Sequence, residues 1–450
     1  MKASHVVRFL TDALDLVGVT DQGHDKRVGI VAHALAGRLG LPPATRDRIF
    51  VAGLLHDVGV SSTHAHDHLV ADDQWGEVDR HCDRGARLLA SLDGFAALMS
   101  IVRNHHRPWS SPEMAALPRE GRVEANLVFL ADRLDAWVSH GLGARAGALA
   151  KARASLGTLF SPSFAPALDS IAQGADFWAD MGRERLSRRV DGILHAIAFE
   201  PLSARDLATL PYLMAAIVDA KCPYTAEHSF RVAAIARRMG EAHDLPGAEC
   251  EQLQTAGLLH DIGKLAIPDE IVNKRGPLDA DERRVMEEHA RHSYEVIVRL
   301  PGLERIAELA RHHHEREDGR GYPDGIGGTT LPLAARILGV ADVFQALTQR
   351  RPYRPGKDEA EVRRTLADAR RSGWLDATAL DALDARFDEY WALSTGPLAL
   401  RGLDPGLARL CLNGAPDDQA ATTTSSAPRT PLPALSSRIV TSPASRPRLR

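Results

Sequence analysis

The sequence predicts an all-α protein built from two tandem copies of one helical domain. Apolar residues recur at helical spacing over long stretches, and few alternating strand patterns occur. The apolar run that ends in adjacent His and Asp, "AGLLHDVG" at 52–59, returns as "AGLLHDIG" at 256–263. A motif repeated about two hundred residues later in a chain of 450 residues indicates a duplicated domain.

Individual helices can be placed from the same spacing. In "HDKRVGIVAHALAGRLG" (24–40) and "HSFRVAAIARRMG" (228–240), the apolar residues fall on one helical face. Gly40 and Gly240 predict the ends of these helices, because glycine is the usual residue just past a helix C-terminus. The N-terminal segment "MKASHVVRFLTDALDLVG" has polar and acidic residues inside its apolar pattern, which favours a helix over a signal peptide.

The composition is that of a soluble globular protein. Hydrophobic residues make up 44% and charged residues 25% of the chain. A formal net charge of −4 argues against a nucleic acid polymer as partner. No membrane span is expected, because the chain contains no run of eighteen apolar residues. Four cysteines without pair spacing favour a reducing, cytoplasmic location.

The two copies share an ordered set of His and Asp residues. The offset between matching residues is 204 at the first three positions, 208 at the next three and 210 at the last. Chance does not readily produce so small a drift, so each copy carries the order H…HD…H…HH…D. The two sets are His24, His56, Asp57, His81, His105, His106 and Asp132, and His228, His260, Asp261, His289, His313, His314 and Asp342.

These residue types favour a pair of divalent metal ions. Imidazole and carboxylate ligands suit first-row metals, Fe or Mn first and Zn, Co or Ni next, and not Mg or Ca. Seven ligands are too many for one tetrahedral ion but fit two, with the Asp beside a His able to bridge them. Such a pair can activate water and hold a phosphodiester. A single His on a helix is more often a packing residue, so the ordered set carries this interpretation.

The second copy resembles the HD-GYP family of metal-dependent phosphodiesterases. The resemblance rests on "HDIGK" (260–264), "HHERED" (313–318), "GRGYPDG" (319–325) and "ADVFQALTQRRPYR" (341–354), and covers about residues 205–400. The family belongs to the HD phosphohydrolase superfamily, is all-helical and typically acts on cyclic di-GMP. The resemblance therefore implies two tandem HD-type helical domains and an enzyme that opens cyclic di-GMP to the linear dinucleotide, with GMP as a further product.

The resemblance also implies roles for single residues. The catalytic residues would be Asp261, shared between two ions, and Lys264, which would contact the scissile phosphate. One ion would be held by His228, His260, Asp261 and Asp342, and the other by Asp261, His289, His313 and His314. The residues expected to bind substrate are Gly321, Tyr322, Pro323, Arg351 and Arg354. From spacing alone, a surface turn and a solvated basic patch remain alternatives for the last group.

The first copy keeps all seven ligand types but not the residues around them. Val60 stands where the second copy has Lys264, and "HHRPWSSPEMAALPREG" replaces the GYP segment. Three interpretations stay open: a metal-loaded sensor or pseudoenzyme, a phosphohydrolase with another substrate, and a copy kept for packing. Three further histidines in "STHAHDHL" (62–69), at positions 64, 66 and 68, are expected in a solvent-exposed loop.

The predicted domain organisation has four parts. A degenerate HD-type domain spans 1–175, a helical connector 176–204 and the HD-GYP domain 205–400. The segment 412–450 is rich in Ser, Thr and Pro and predicts a disordered tail. A rival to the enzyme is a regulatory module that binds a cyclic dinucleotide or metal with little turnover, and the sequence leaves a homodimer open.

Overall fold

The computed structural model describes residues 1–17, 23–71, 78–140, 145–173, 183–222, 227–349, 356–398 and 407–408. Within these ranges the regular structure is helical, and the only β pairing is an isolated bridge between Leu156 and Phe160. The all-α prediction is confirmed. None of the helices in the described ranges combines the length and apolar composition that crossing a bilayer requires.

The first copy is a helical bundle in which α2 packs against α3 and α8. A 3₁₀ turn follows α5 and another precedes α10. The helices are α1 (Ala3–Leu14), α2 (His24–Arg38), α3 (Pro43–Leu54), α4 (Thr63–Ala71), α5 (Val78–Ala90), α6 (Met99–Asn104), α7 (Pro112–Ala115), α8 (Arg119–His140), α9 (Arg145–Ala154) and α10 (Ala165–Gln173).

The second copy repeats this arrangement, with α13 packed against α14 and α18. Helix α11 covers residues 183–196 of the predicted connector, and α12 begins at its last residue. The helices are α11 (Arg183–Ala196), α12 (Ala204–Asp219), α13 (His228–Ala242), α14 (Gly247–Leu259), α15 (Asp269–Val272), α16 (Ala280–Ile297), α17 (Glu304–Arg311), α18 (Leu333–Thr348), α19 (Glu359–Arg371), α20 (Ala377–Ala385) and α21 (Phe387–Thr395).

Capping residues define several helix starts in the second copy. Ser203, Asp279 and Asp358 each form a capping box with the acidic residue three positions later, at the starts of α12, α16 and α19. These caps satisfy backbone N–H groups that have no partner inside the helix. Helix α16 also carries His289, one of the predicted metal ligands.

One of the two predicted helix ends is correct. Gly40 has φ +68°, and Leu41 N–H donates to Ala36 O at 3.1 Å, which completes a Schellman motif after α2. The prediction for Gly240 is wrong, because α13 continues to Ala242 and Asp244 takes the left-handed position. A Cβ on Gly240 would lie 2.8 Å from Leu253 Cδ1, so this glycine allows α13 to approach α14.

The expected loop around the extra histidines is also wrong. Residues Thr63–Ala71 form α4, and Ser62 Oγ accepts a hydrogen bond from Ala65 N–H at 3.2 Å at its start. His66 on this helix is only 6% exposed, and its ring centroid lies 5.9 Å from that of His24. The serine cap that starts this helix was visible in the sequence.

The two copies share one hydrophobic core and a buried polar contact. Lys221 Nζ lies 3.0 Å from Asp269 Oδ1 and donates to Thr63 Oγ1 at 3.1 Å. Asp269 also accepts hydrogen bonds from Ser62 Oγ at 2.7 Å and His64 N–H at 3.0 Å. The contact therefore joins the segment after His56–Asp57 to the segment after His260–Asp261.

Some predictions lie outside the described residues. These are Arg351 and Arg354, part of the connector and the whole segment 412–450. The four domain boundaries stay predictions.

Candidate metal centre and cleft

The structure brings all seven predicted ligands of the second copy together. His228 begins α13, His260 and Asp261 follow the end of α14, and His289 lies on α16. The remaining three are His313 and His314, just past α17, and Asp342 on α18. Five separate chain segments thus converge on one point, and His228, His260, Asp261, His289 and His313 are almost fully buried.

One half of the cluster surrounds Asp261 Oδ2. His260 Nε2 lies 3.3 Å from this oxygen and 3.3 Å from His228 Nε2. Asp342 Oδ1 lies 3.2 Å from His228 Nε2. These four side chains are the predicted set for one ion.

The other half of the cluster surrounds Asp261 Oδ1. His289 Nε2 lies 3.5 Å from this oxygen and 3.4 Å from His313 Nε2. His314 Nδ1 lies 3.8 Å from Asp342 Oδ2. Asp261 Oδ1 is buried and has no hydrogen-bond partner among the described residues. A buried carboxylate oxygen without a partner is costly unless a cation meets it, so the donor set fits two ions that share Asp261.

Backbone carbonyls orient three of the imidazoles. The Nδ1–H groups of His260, His289 and His313 donate to the carbonyls of the residues three positions earlier, at 2.8, 2.6 and 2.6 Å. This contact leaves Nε2 of each ring as the lone-pair donor that faces the cluster. Such outer contacts fix the tautomer and the ring orientation of metal ligands.

Burial and neighbouring charges keep four of the ligands, His289, His314, Asp342 and Asp261, in the protonation states that metals require. Burial lowers the pKa of His289 to about 3 and that of His314 to about 4, so both rings are neutral near pH 7. Burial raises the pKa of Asp342, but the hydrogen bond from His228 and the nearby imidazoles bring it well below its usual range. The pKa of Asp261 is lowered in the same way by His260 and Lys264.

Gly263 and Ser293, which lie outside the predicted set, allow the turn at His260–Asp261 to pack against α16. A Cβ on Gly263 would lie 2.0 Å from His289 O, so only glycine fits there. Ser293 Oγ donates to His260 O at 2.6 Å and accepts from Gly263 N–H at 2.9 Å. The glycine could be recognised from the repeated motif, whereas the serine carried no sequence signal.

Lys264 lies at the edge of this cluster. Its Nζ donates to Asp261 Oδ2 at 2.5 Å, and its side chain is 25% exposed. The ammonium is therefore within reach of both the ligands and solvent. A contact between Lys264 and a substrate phosphate stays a prediction.

The GYP loop folds back on the His313–His314 backbone. A Cβ on Gly321 would lie 2.4 Å from Glu315 Cα, so this glycine permits the close approach. The buried Glu315 Oε1 accepts from Asp324 N–H at 2.7 Å and Gly325 N–H at 3.1 Å. The Tyr322 ring centroid lies 4.7 Å from that of His314, which places the loop beside the metal ligands.

An open cleft of about 510 Å³ lies over the same histidines. His313, His314 and Asp342 line it together with Gly321 and Tyr322, whereas Pro323 is not among its lining residues. Sequence reasoning assigned no role to much of the remaining lining. Four of these residues lie within the quoted motifs, namely Arg316, Arg320, Val343 and Leu347. The others lie outside every motif, namely Arg283 and Glu287 on α16, Gly339 on α18 and Trp374 before α20.

The first copy reproduces the ligand geometry. His81 Nε2 lies 3.4 Å from His105 Nε2 and 3.5 Å from Asp57 Oδ1, close to the matching distances in the second copy. His24 Nε2 lies 3.4 Å from Asp132 Oδ1. Two further contacts complete the cluster. His56 Nε2 lies 3.5 Å from Asp57 Oδ2, and His106 Nδ1 lies 3.6 Å from Asp132 Oδ2.

Comparisons with known proteins agree with this architecture. HD-domain family models match residues 22–137 and 212–379. A 3′3′-cGAMP-specific phosphodiesterase of Vibrio cholerae is 31% identical over 392 residues, which is 85% of this chain and 91% of the relative. A cyclic di-GMP phosphodiesterase response regulator of Xanthomonas campestris is 41% identical over 157 residues, or 34% of this chain and 41% of the relative.

A solved structure has the same fold. A cyclic GMP-AMP-specific phosphodiesterase of Vibrio cholerae superposes with a TM-score of 0.60 at 24% sequence identity, covering 86% of this chain and 97% of that chain. The fold and the clustered ligands define a protein with two tandem HD domains, as the repeat predicted. The chain belongs to the HD-GYP phosphodiesterase family of the HD superfamily.

Proposed function

We propose that the second copy hydrolyses a 3′,5′ phosphodiester bond of a cyclic dinucleotide. The observation that carries this proposal is the placement of His313, His314 and Asp342 in the wall of an open cleft. A metal cluster that faces such a cleft can meet a substrate phosphate, whereas a buried one cannot. Whole-chain similarity to a cyclic dinucleotide phosphodiesterase supports the same substrate class.

The metal ligands are proposed to be the seven residues of the second cluster, with two ions sharing Asp261. When bound, two divalent ions, Fe or Mn by preference, supply positive charge for the phosphoryl oxygens and make a water molecule more acidic. The histidines hold their Nε2 atoms towards the cluster through backbone contacts. Lys264 adds a compact cation whose charge offsets negative charge developing on the phosphoryl group.

The cleft offers groups suited to the rest of a dinucleotide. Tyr322 and Trp374 supply aromatic rings on which bases can stack. Arg283, Arg316 and Arg320 also line the cleft and can pair with the second phosphate or a guanine edge. Pro323 follows Tyr322 in the same loop and is not among the lining residues, and its contact with substrate stays a prediction.

Two cyclic dinucleotides are candidates for the substrate. The HD-GYP motifs favour cyclic di-GMP, and the relative that matches along 85% of the chain is named for 3′3′-cGAMP. Both contain guanine and two 3′,5′ phosphodiesters, so the same cleft chemistry serves either. A cytoplasmic location and a homodimer stay predictions from the sequence.

The test uses the purified full chain supplied with Mn²⁺ or Fe²⁺. Cyclic di-GMP and 3′3′-cGAMP are incubated separately, and the products are separated by liquid chromatography. The proposal expects the linear dinucleotide to appear first from at least one of them, with mononucleotide as a later product. Binding of both without hydrolysis would contradict it and favour a regulatory module.

A further inference from the structure

The first copy fills the space that forms the cleft in the second. At the offset of 210 that relates Asp132 to Asp342, three cleft-lining residues have larger counterparts. The first copy has Phe129 where the second has Gly339, Arg133 where it has Val343, and Trp137 where it has Leu347. All three larger side chains are buried, at 6%, 4% and 5% exposure.

The two aromatic residues close the floor of this space. The Phe129 ring centroid lies 5.5 Å from that of His106 and 5.2 Å from that of Phe160. Trp137 packs on the same Phe160 at 6.2 Å. His106 is consequently 8% exposed at its side chain, whereas the matching His314 is 26% exposed. A substrate phosphate cannot reach the ligands of the first copy by the route open in the second.

Arg133 forms hydrogen bonds with Asp132, one of the predicted ligands. Its Nε donates to Asp132 Oδ2 at 3.1 Å, and its Nη2 donates to Asp132 Oδ1 at 3.2 Å and to Leu69 O at 2.7 Å. Both oxygens of Asp132 thus already face a guanidinium, which competes with a metal ion for the same lone pairs. In the second copy, Val343 offers Asp342 no such contact.

Four other ligands keep a geometry that suits one ion. Bonds of about 2.0–2.1 Å in a tetrahedron place ligand atoms about 3.3–3.4 Å apart. His81 Nε2 lies 3.4 Å from His105 Nε2 and 3.5 Å from Asp57 Oδ1, and His106 offers a fourth atom within 4.8 Å of the others. Asp57 Oδ1 is buried without a hydrogen-bond partner among the described residues. A cation is the natural partner for that oxygen.

We propose that the first copy holds a single divalent ion, bound by Asp57, His81, His105 and His106, in a closed structural site. Four protein ligands without an open position are the hallmark of structural zinc sites, so Zn²⁺ is the expected ion. The ion stabilises the fold of the first copy, since it binds the folded arrangement and not the unfolded chain. The proposal is independent of the activity assigned to the second copy.

The first test is the metal content of the full chain after dialysis against EDTA. The wild-type chain and an Asp261→Asn variant are each expected to retain about one ion, because the second copy is open and the first is closed. A His105→Gln variant is expected to retain none. Retention of two ions, or of none, by the wild-type chain would overturn the proposal, as would loss of the ion in Asp261→Asn.

The second test uses a variant that keeps all four ligands, so its result does not depend on whether a ligand variant folds. Phe129→Gly combined with Arg133→Val leaves all four ligands in place and installs the residues that the second copy carries at these positions. The ion should leave this variant at least about tenfold faster on addition of EDTA, measured with a colorimetric zinc indicator. Circular dichroism confirms that the helices are intact. An unchanged release rate would show that these side chains do not close the site.

Discussion

Lys264 and Val60 occupy matching positions in the two copies and differ in charge. Lys264 places its ammonium on Asp261, whereas Val60 is buried at 2% exposure. The repeat alone was sufficient to predict this difference and the seven His and Asp side chains that cluster in each copy. It could not predict Ser293 or Trp374, because their contacts depend on how distant segments pack and no motif marks them.

Replacing Lys264 with Met tests its role at the phosphate. We expect kcat to fall about 10²–10³-fold, since a charge aimed at the developing phosphoryl charge is lost. The metal content should stay unchanged, because Lys264 is not a ligand. Steady-state kinetics and metal analysis on the same preparation check both.

Lys274→Met is the matched control, since Lys274 pairs with Glu282 away from the cluster. Its kcat should equal that of the wild type. If the metal content of Lys264→Met fell in proportion to its kcat, a direct role of Lys264 at the phosphate would be refuted.

At the scale of elements, the glycine of the repeated "HDxG" motif sets the distance between the metal corner and the next helix. In both copies the Cβ of an added side chain would lie 2.0 Å from a backbone oxygen, that of His289 for Gly263 and that of His81 for Gly59. Helix periodicity predicted α2 and α13, whose starts carry His24 and His228. It failed at Gly240, because a glycine needed for helix packing has the same appearance in sequence as one that ends a helix.

Replacing Gly263 with Ala should lower the free energy of unfolding by more than about 3 kcal/mol, because the backbone of α16 must move to admit the methyl group. Chemical denaturation measures this change. Gly192→Ala is the control: Gly192 lies on α11 with no atom within 4 Å of an added Cβ, so the change should stabilise by about 0.5–1 kcal/mol. Equal effects at the two positions would show that the close contact is not what requires glycine.

At the scale of the whole molecule, the duplication was predictable but the way the copies meet was not. The buried Lys221 and its partner Asp269 lie outside every motif, and a lone Lys or Asp in sequence is normally read as a surface residue. Asp269 also accepts hydrogen bonds from Ser62 and His64, and Lys221 donates to Thr63, so the pair meets the segment that follows His56–Asp57. The filling of the first copy's cleft by Phe129 and Trp137 could not be predicted either, because aromatic residues on a helix predict only that they are buried.

Replacing Asp269 with Asn should destabilise the chain by about 3 kcal/mol, since the change removes the carboxylate charge that lies 3.0 Å from the buried ammonium of Lys221. Thermal and denaturant unfolding of the full chain measure the loss. Asp368→Asn, which breaks an exposed pair with Arg371, should change stability by less than about 0.5 kcal/mol. A loss at Asp269 no larger than that at Asp368 would contradict a structural role for the Lys221–Asp269 ion pair.

The most direct test of the central claim, that phosphodiester hydrolysis takes place in the second copy, is the turnover of a cyclic dinucleotide by the full chain carrying Asp261→Asn. Loss of the carboxylate that faces both halves of the cluster should lower the rate at least about 10³-fold. The Asp368→Asn chain, assayed beside it, should keep the wild-type rate. Hydrolysis by Asp261→Asn at the wild-type rate would contradict the account and move the chemistry away from the second copy.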